Sequence, residues 1–404
     1  MIRQLIHRLL LRRHFWRYAT FSEVSELYTS RMLRMLAINI SAAFMAVFLY
    51  QNGYSILFIA GYWVFYFVAK ALMTFPAAKY AARFGPKHGI LLSNLLYIPS
   101  LVVFTFMPDW GLPAIIITGL LQATSVSLYG LCHMVDFSKV KSVDHAGKEI
   151  AFMTIFEKIA TGLSPLIGGM IAFMAGPRAT LWAAAILFTV ASVPLFKTAE
   201  PTKTGQKLVF RGFPWRLVWR SYVAEIGIGF DVLASGGVWM LMVAIFILGA
   251  DGNQVYAEMG ALLSVVLLAA LVASYVYGKI IDRRRGGELL MTSVVVNSLV
   301  HLSRPFVTTP IIAAGVNLTN EAATTGYAMS FTRGMFDTAD ISGHRIVYLA
   351  GMELMLNIGA ALSSLLLIGF IQIFGTSPGM GHYFFAIAII TLLIATPKFP
   401  LYRK

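Results

Sequence analysis

The feature that most constrains this chain is a series of apolar runs, each long enough to cross a lipid bilayer. A hydrocarbon core of about 30 Å needs roughly 20 mostly apolar residues, since a helix rises about 1.5 Å per residue. The series predicts an all-α membrane protein with twelve transmembrane helices in two pseudo-symmetric six-helix bundles. The predicted spans are 33–50, 55–80, 88–107, 113–135, 148–175, 179–196, 221–249, 253–278, 288–307, 309–333, 345–374 and 380–397.

The composition agrees with a membrane solvent and not with water. Of the 404 residues, 58% are hydrophobic and only 12% are charged, which excludes an ordinary soluble domain of this length. Residues 1–28 interleave arginine with apolar residues, which predicts a basic amphipathic helix on the cytoplasmic membrane surface, with a disordered basic arm as the alternative. We expect an N-terminal bundle over 29–196, a cytoplasmic linker over 197–220 and a C-terminal bundle over 221–404.

The positions of the basic residues predict the orientation. Almost all of the 32 lysines and arginines fall on the ends and loops of one side. Arg178 and Arg304 fall on the other side, and Lys70 and Lys158 fall within spans. By the positive-inside rule, both termini are cytoplasmic in a multi-pass protein of the plasma membrane. The net charge of +14 then needs no nucleic acid partner.

Several kinds of site are missing from the sequence. The single cysteine, Cys132, lies in an apolar run, so neither a disulfide framework nor a metal cluster is expected. No stretch resembles an ATP-binding loop, a zinc-binding helix or a nucleophile elbow. We therefore expect no enzyme activity and no cofactor, and any uphill work has to use an ion gradient.

The two halves carry related short motifs at a nearly constant spacing. Residues 78–87 after the second span correspond to 278–286 after the eighth, a shift of 200. Glu157 in the fifth span corresponds to Glu353 in the eleventh, a shift of 196, whereas Asp231 in the seventh span has no obvious counterpart in the first. The steady shift indicates an internal repeat, which is common among transporters.

These motifs resemble the signature of the major facilitator superfamily, and the resemblance covers almost the whole chain. The second copy keeps the glycine, the aspartate and the arginine of that signature, whereas the first has Ala78 and Ala82 in place of glycine and aspartate. The resemblance implies that Asp282 latches a cytoplasmic gate against the start of the fifth span, and that the first half has a weaker latch. The gating candidates are Gly278, Asp282, Arg283, Arg83, Gly85, Pro165, Gly168 and Gly169.

Three of those candidates lie in a second motif, Ser164-Pro165-Leu-Ile-Gly168-Gly169. It resembles the glycine-proline motif of proton-coupled antiporters in the same superfamily, which favours efflux. Ordinary close packing of small residues is the alternative reading. The arginine that such antiporters often carry in the fourth span is missing, so their coupling mechanism does not transfer directly.

Ionisable residues within spans are costly, so they face a cavity or a charged partner. The proton-coupling candidates are Asp231, Glu157, Glu353 and Glu321. Asp231 is the sharpest of them, because a carboxylate inside an apolar run can bind and release a proton. The alternative for each is a structural role, and the matching positions of Glu157 and Glu353 favour helix pairing.

Polar residues on the fourth and tenth spans predict a substrate wall. Asn317, Asn320, Glu321 and Thr324 recur at three- and four-residue spacing and so share one helical face. Hydrogen bonding between helices is the alternative reading. The substrate-cavity candidates are Lys70, Gln122, Tyr129, Asn317, Asn320 and Thr324.

We expect a secondary active transporter that works by alternating access, is proton-coupled and exports a small amphipathic compound. Its partners are then the lipid bilayer, a small-molecule substrate and a proton or another coupling ion, and a monomer is expected. Three alternatives stay open. They are an importer of a small polar or anionic metabolite with Lys70 as the anion site, a lipid flippase or scramblase, and a non-transporting membrane scaffold or receptor.

Overall fold

The computed structural model describes residues 21–140, 146–193, 205, 208–249 and 252–402. Within these ranges it is helical and has no strand, so the predicted fold class is confirmed. The surface helix predicted for residues 1–28 lies mostly outside the described residues and stays a prediction. The long helices, each close to its predicted span, are α1 (Phe21–Gln51), α2 (Ile56–Phe84), α3 (Pro86–Thr105), α4 (Leu112–Val140), α5 (Ala146–Ala175), α6 (Pro177–Ser192), α7 (Trp215–Ile247), α8 (Gln254–Asp282), α9 (Gly286–Ser303), α10 (Pro310–Ile341), α11 (Arg345–Phe374) and α12 (Thr376–Ala395).

Nine of these twelve helices are long and apolar enough to cross a membrane by length and hydropathy alone, counting only described residues. The other three are α6, α9 and α10. Helix α6 has only 16 residues, and α10 carries the polar face that includes Asn317 and Asn320. All three pack against other helices of their own bundle.

Helix packing repeats between the two halves. In the N-terminal half, α1 packs on α5 and α6, α3 packs on α4 and α6, and α2 packs on α4. In the C-terminal half, α7 packs on α11 and α12, α9 packs on α10 and α12, and α8 packs on α10. Each pair therefore recurs six helices later, which is the geometry expected of an internal repeat.

Among the described residues, the most extensive contacts between the halves are those of α2 with α11 and of α5 with α8. Consecutive connections between helices lie alternately at the two ends of the helix bundles. We call the end with the α6–α7 connection the linker end and the opposite end the distal end. Residues of the predicted linker lie at the linker end, where the Gly205 amide donates to the Arg83 carbonyl at 3.0 Å. Helix α7 begins at Trp215, so the last residues of that predicted linker are helical.

Candidate functional site

A hydrogen-bonded network built on Asp231 occupies the core of the C-terminal half. Asp231 on α7 is 1% exposed, and its Oδ1 lies 2.6 Å from Nε2 of His301 on α9. The Ser235 hydroxyl, in a π-helical turn of α7, donates to the same oxygen at 3.0 Å, and the Tyr327 hydroxyl of α10 donates to Oδ2. Arg304, at the end of α9, closes the network through His301.

The partners of His301 fix its tautomer and the charge balance. Arg304 Nη1 lies 2.9 Å from Nδ1 of His301, and a guanidinium only donates. Nδ1 therefore accepts, and Nε2 carries the proton that is donated to Asp231. A carboxylate that accepts three hydrogen bonds is stable in its ionised form, and Arg304 balances its charge. The network is thus neutral as a whole.

Arg304 also orders the polar face of α10. Its Nη2 donates to Ser235 and to Oδ1 of Asn320, each at 3.0 Å, while the guanidinium lies 5.1 Å from the centroid of the Trp239 ring. The Trp239 indole donates to Oδ1 of Asn317 at 2.7 Å. Two predicted substrate-wall residues, Asn317 and Asn320, therefore bind partners in their own half.

A second buried cation occupies the core of the N-terminal half. Arg34 on α1 is 0% exposed and donates to the Ser93 hydroxyl at 3.2 Å, to the side-chain oxygen Oδ1 of Asn94 and to the Ser125 hydroxyl at 3.4 Å. The Tyr129 ring of α4 lies 4.0 Å from the guanidinium carbon, at cation–π distance. Among the described residues, no carboxylate forms an ion pair with Arg34.

Within the described part of the chain, two ion pairs connect the halves. Nζ of Lys70 on α2 lies 3.7 Å from Oε1 of Glu353 on α11. Nζ of Lys158 on α5 lies 2.6 Å from Oε1 of Glu321 on α10, and the Thr325 hydroxyl donates to that same oxygen at 3.1 Å. All four charged groups are mostly buried. Each ion pair therefore holds the N-terminal and C-terminal halves together by an electrostatic attraction that water screens only weakly.

Glu225 on α7 is a second buried carboxylate in the neighbourhood of Glu353. It lies between Tyr222, which packs on Gly351, and Gly229, which packs on the backbone of Ala360. It therefore lies on the part of α7 that packs against the α11 segment carrying Glu353. Glu225 is 8% exposed, and its Oε2 accepts no hydrogen bond from a described residue.

Glu157 has a different environment from Glu353, although the two residues correspond in the repeat. Oε2 of Glu157 accepts from Nη2 of Arg31 at 2.8 Å, and Arg31 also contacts the ring of His133. This pair joins α1 to α5 within the N-terminal half, whereas Glu353 reaches across to the other half. Lys158 follows Glu157 in sequence but turns to α10, as expected for adjacent helical residues.

The remaining substrate-cavity candidates have weaker contacts. The Gln122 amide lies 3.8 Å from the Met45 sulfur, and the residue is buried. The Thr324 hydroxyl donates to the Glu321 carbonyl one turn back on α10, at 3.2 Å. The Tyr129 hydroxyl is buried beside Arg31. The structure therefore brings the substrate-cavity candidate Lys70 together with the proton-coupling candidate Glu353. It places a second substrate-cavity candidate, Tyr129, against Arg34.

Five of the gating candidates lie at the linker end, namely Gly85, Gly278, Asp282, Arg83 and Arg283. Gly85 has φ +94°, which only glycine adopts easily, and it separates α2 from Pro86 at the start of α3. Asp282 has a buried Oδ2 that accepts no hydrogen bond from a described residue. Its expected partner at the start of α5 lies among side chains outside the described residues, so the latch stays a prediction. Gly278 is buried, while Arg83 and Arg283 are exposed.

The glycine-proline motif lies at the distal end, where it joins the halves. A Cβ on Gly169 would collide with the Tyr256 carbonyl of α8, and a Cβ on Gly260 would collide with the Pro165 carbonyl. Gly168 packs equally closely on the backbone of Ile40 in α1. The Gln51 amide also donates to the Gly252 carbonyl at 2.8 Å. The described residues therefore pack the distal end tightly between the halves.

The sequence analysis missed several buried ionisable groups, among them Arg34, Glu225, His301 and Arg304. It placed Arg34 and Arg304 among the charges of the membrane surfaces, and this is wrong because both are 0% exposed. It also found no counterpart of Asp231. Arg34 has that place, because it binds α3 and α4 as Asp231 binds α9 and α10. The available signal was position, since Arg34 and Arg304 fall inside the predicted spans 33–50 and 288–307, close to their ends.

Comparison with known proteins agrees with this architecture. The family model for the Major Facilitator Superfamily matches residues 27–332. The solved structure of the human organic anion transporter MFSD10 (TETRAN) superposes with a TM-score of 0.70 at 10% identity, covering 93% of this chain and 100% of that one. A structure of the E. coli fucose:proton symporter FucP gives 0.65 at 13% identity, covering 92% and 97%. No curated protein matches in sequence.

Proposed function

The chain belongs to the Major Facilitator Superfamily and is a multi-pass membrane transport protein, and on that premise we propose that it is a proton-coupled secondary transporter. It alternates between two conformations in which the halves rock about the α2–α11 and α5–α8 contacts. The proposed cargo is a small amphipathic compound, and the proposed direction is export.

The observation that carries proton coupling is the pair of buried ion pairs between the halves. Protonation of Glu353 or Glu321 removes the charge that attracts Lys70 or Lys158. A proton that binds one conformation better than the other shifts the balance between them. Glu225 is a further buried carboxylate, on the part of α7 that packs against α11, and we include it as a second candidate for proton uptake.

The support for export is the glycine-proline motif at the distal contact of α5 with α1 and α8. The motif resembles that of antiporters, which favours export. Its close packing on α1 and α8 favours a role in closing the distal end. The support for an amphipathic cargo is the mixture of charged and aromatic side chains around Lys70, whose Nζ lies 5.4 Å from the Phe67 centroid and 5.9 Å from the Tyr66 centroid.

The test is dye flux in proteoliposomes with an imposed pH gradient. We expect the gradient to drive an amphipathic dye, carboxyfluorescein or ethidium, faster than in protein-free vesicles. Glu353→Gln should abolish the gradient dependence while dye exchange without a gradient persists. Glu288→Gln, which changes an exposed carboxylate paired with Arg285, should behave as the wild type. Flux of both dyes equal to that of empty vesicles, or lipid translocation without any gradient, would contradict the proposal.

Import of an anionic metabolite is the second candidate. The structural neighbour described as an organic anion transporter favours an anionic cargo, but Lys70 is engaged by Glu353 and is a poor anion site in this conformation. The same flux assay separates the two candidates, because import and export respond to opposite directions of the pH gradient.

A further inference from the structure

The N-terminal core contains a buried cation, Arg34, whose charge is not balanced by a carboxylate among the described residues. Arg34 is fully buried, and its described partners are two hydroxyls, one amide oxygen and aromatic rings. Neutral acceptors repay only part of the cost of burying a guanidinium. The nearby Arg31 does not change this balance, because its own charge is matched by Glu157.

Two polar atoms of this cluster have no hydrogen-bond partner among the described residues, and both are donors. They are the buried Nε of Arg34 and Nδ2 of Asn94, and the Tyr129 hydroxyl lies beside Arg31. Arg34 and Asn94 are 0% exposed, and Tyr129 is 6% exposed. A cation surrounded by free donors is satisfied by a group that carries negative charge and several acceptor oxygens. A carboxylate or a phosphate has both properties.

We propose that Arg34, Asn94 and Tyr129 form a binding site for the carboxylate or phosphate group of the transported compound. The site lies where α1 meets α3 and α4. The inference rests on the proposed function, and it adds that the amphipathic cargo is an anion whose charged end enters the N-terminal half.

The position of the site connects it to the contact between the halves. Gly130, next to Tyr129 on α4, packs against the Glu353 carboxylate, and the Ser127 hydroxyl donates to the Lys70 carbonyl at 3.0 Å. A shift of α4 on anion binding therefore reaches the Lys70–Glu353 pair directly. This gives the anion and the proton a common structural element to act on.

The test is anion-dependent thermal stabilisation of the purified full chain in an uncharged detergent. Sodium benzoate and sodium phosphate are the probes, and choline chloride at equal ionic strength is the reference. A ligand that binds the folded state raises the unfolding temperature with concentration. We expect benzoate or phosphate to raise it in a saturable way and choline chloride to have no such effect.

Asn94→Asp is the decisive variant, because it places a carboxylate at the atom that already accepts from Arg34. It should unfold at a higher temperature than the wild type without ligand, and it should bind the anions at least tenfold more weakly. Arg34→Lys keeps the charge but loses the planar fork, so it should bind them more weakly than the wild type. Arg178→Gln, which changes an exposed arginine paired with Asp109, should bind as the wild type.

Two results would overturn the proposal. One is a wild type that neither benzoate nor phosphate stabilises beyond the choline reference. The other is an anion response that is the same in Asn94→Asp and the wild type. Because this readout is binding, it stays informative if the protein shows no proton coupling, and a failure of binding leaves the flux test of the proposed function intact.

Discussion

Arg34 in α1 and Asp231 in α7 have corresponding places in the two halves, but their charges are opposite and their surroundings are built differently. Asp231 accepts from a histidine, a serine and a tyrosine, and Arg304 balances its charge. Arg34 has neutral partners only among the described residues. Helix packing is thus shared between the halves, while the buried charge is not.

The difference shows which half has spare binding capacity. A network whose charges cancel internally holds its helices together and gains little from a ligand. A buried cation without a carboxylate gains a large electrostatic term when an anion arrives. We therefore assign anion recognition to the N-terminal half and structural rigidity to the core of the C-terminal half, with the ion pairs between the halves available for proton coupling.

The largest expected effect is the loss of stability in Asp231→Asn. This variant leaves Arg304 buried without its counter-charge, and breaking a buried pair on one side costs about 3–5 kcal/mol. The free energy of unfolding in detergent measures it. Replacing Arg304 by Met in the same background should recover part of the loss. A loss no larger than that of Arg34→Gln would contradict the contrast between the halves.

The Lys70–Glu353 pair should show the next largest effect. In a double-mutant cycle with Lys70→Met and Glu353→Gln, we expect a coupling energy of about 2 kcal/mol, because both groups are buried and in contact. Unfolding of the four proteins gives the value. A coupling energy near zero would mean that the pair contributes nothing to the contact between α2 and α11.

Arg34→Gln should cost less, about 1 kcal/mol, because it removes hydrogen bonds to neutral partners and leaves no charge unpaired. The same unfolding measurement applies, with Asp231→Asn as the direct comparison. If Arg34→Gln destabilised the protein as strongly as Asp231→Asn, Arg34 would be a structural element and its assignment to ligand binding would lose its basis.

The smallest effect is expected for the exposed pair of Arg285 and Glu288, three residues apart at the start of α9. Pairs of this kind contribute about 0.3–0.5 kcal/mol. A double-mutant cycle here calibrates the cycle between Lys70 and Glu353. Equal coupling in both cycles would show that burial adds nothing to the contact between the halves.

The helices could be predicted from the sequence because the signal is local. A run of apolar residues identifies its own span, and even the polar α10 was found from its length and position. Asp231, Lys70 and Glu353 were found for the same reason, since each interrupts an apolar run. Arg34 and Arg304 were missed because a basic residue near the end of a span looks like a surface charge.

Their burial depends on helices that are distant in sequence. Arg34 is covered by residues of α3, α4 and α6, and no window around α1 contains that information. Glu225 was missed likewise, because it lies close to the basic linker and its neighbour Glu353 belongs to α11. Pairing of charges between helices follows from the tertiary fold, which the spacing of the repeat fixes only in outline.

The most direct test of the account is dye flux into and out of proteoliposomes that contain the wild type or Asn94→Asp, with a pH gradient imposed across the membrane. The account predicts that the gradient drives the anionic carboxyfluorescein and not the cationic ethidium in the wild type. It also predicts that Asn94→Asp loses this flux while staying folded. Flux of carboxyfluorescein that ignores the gradient, or that is unchanged in Asn94→Asp, would contradict it.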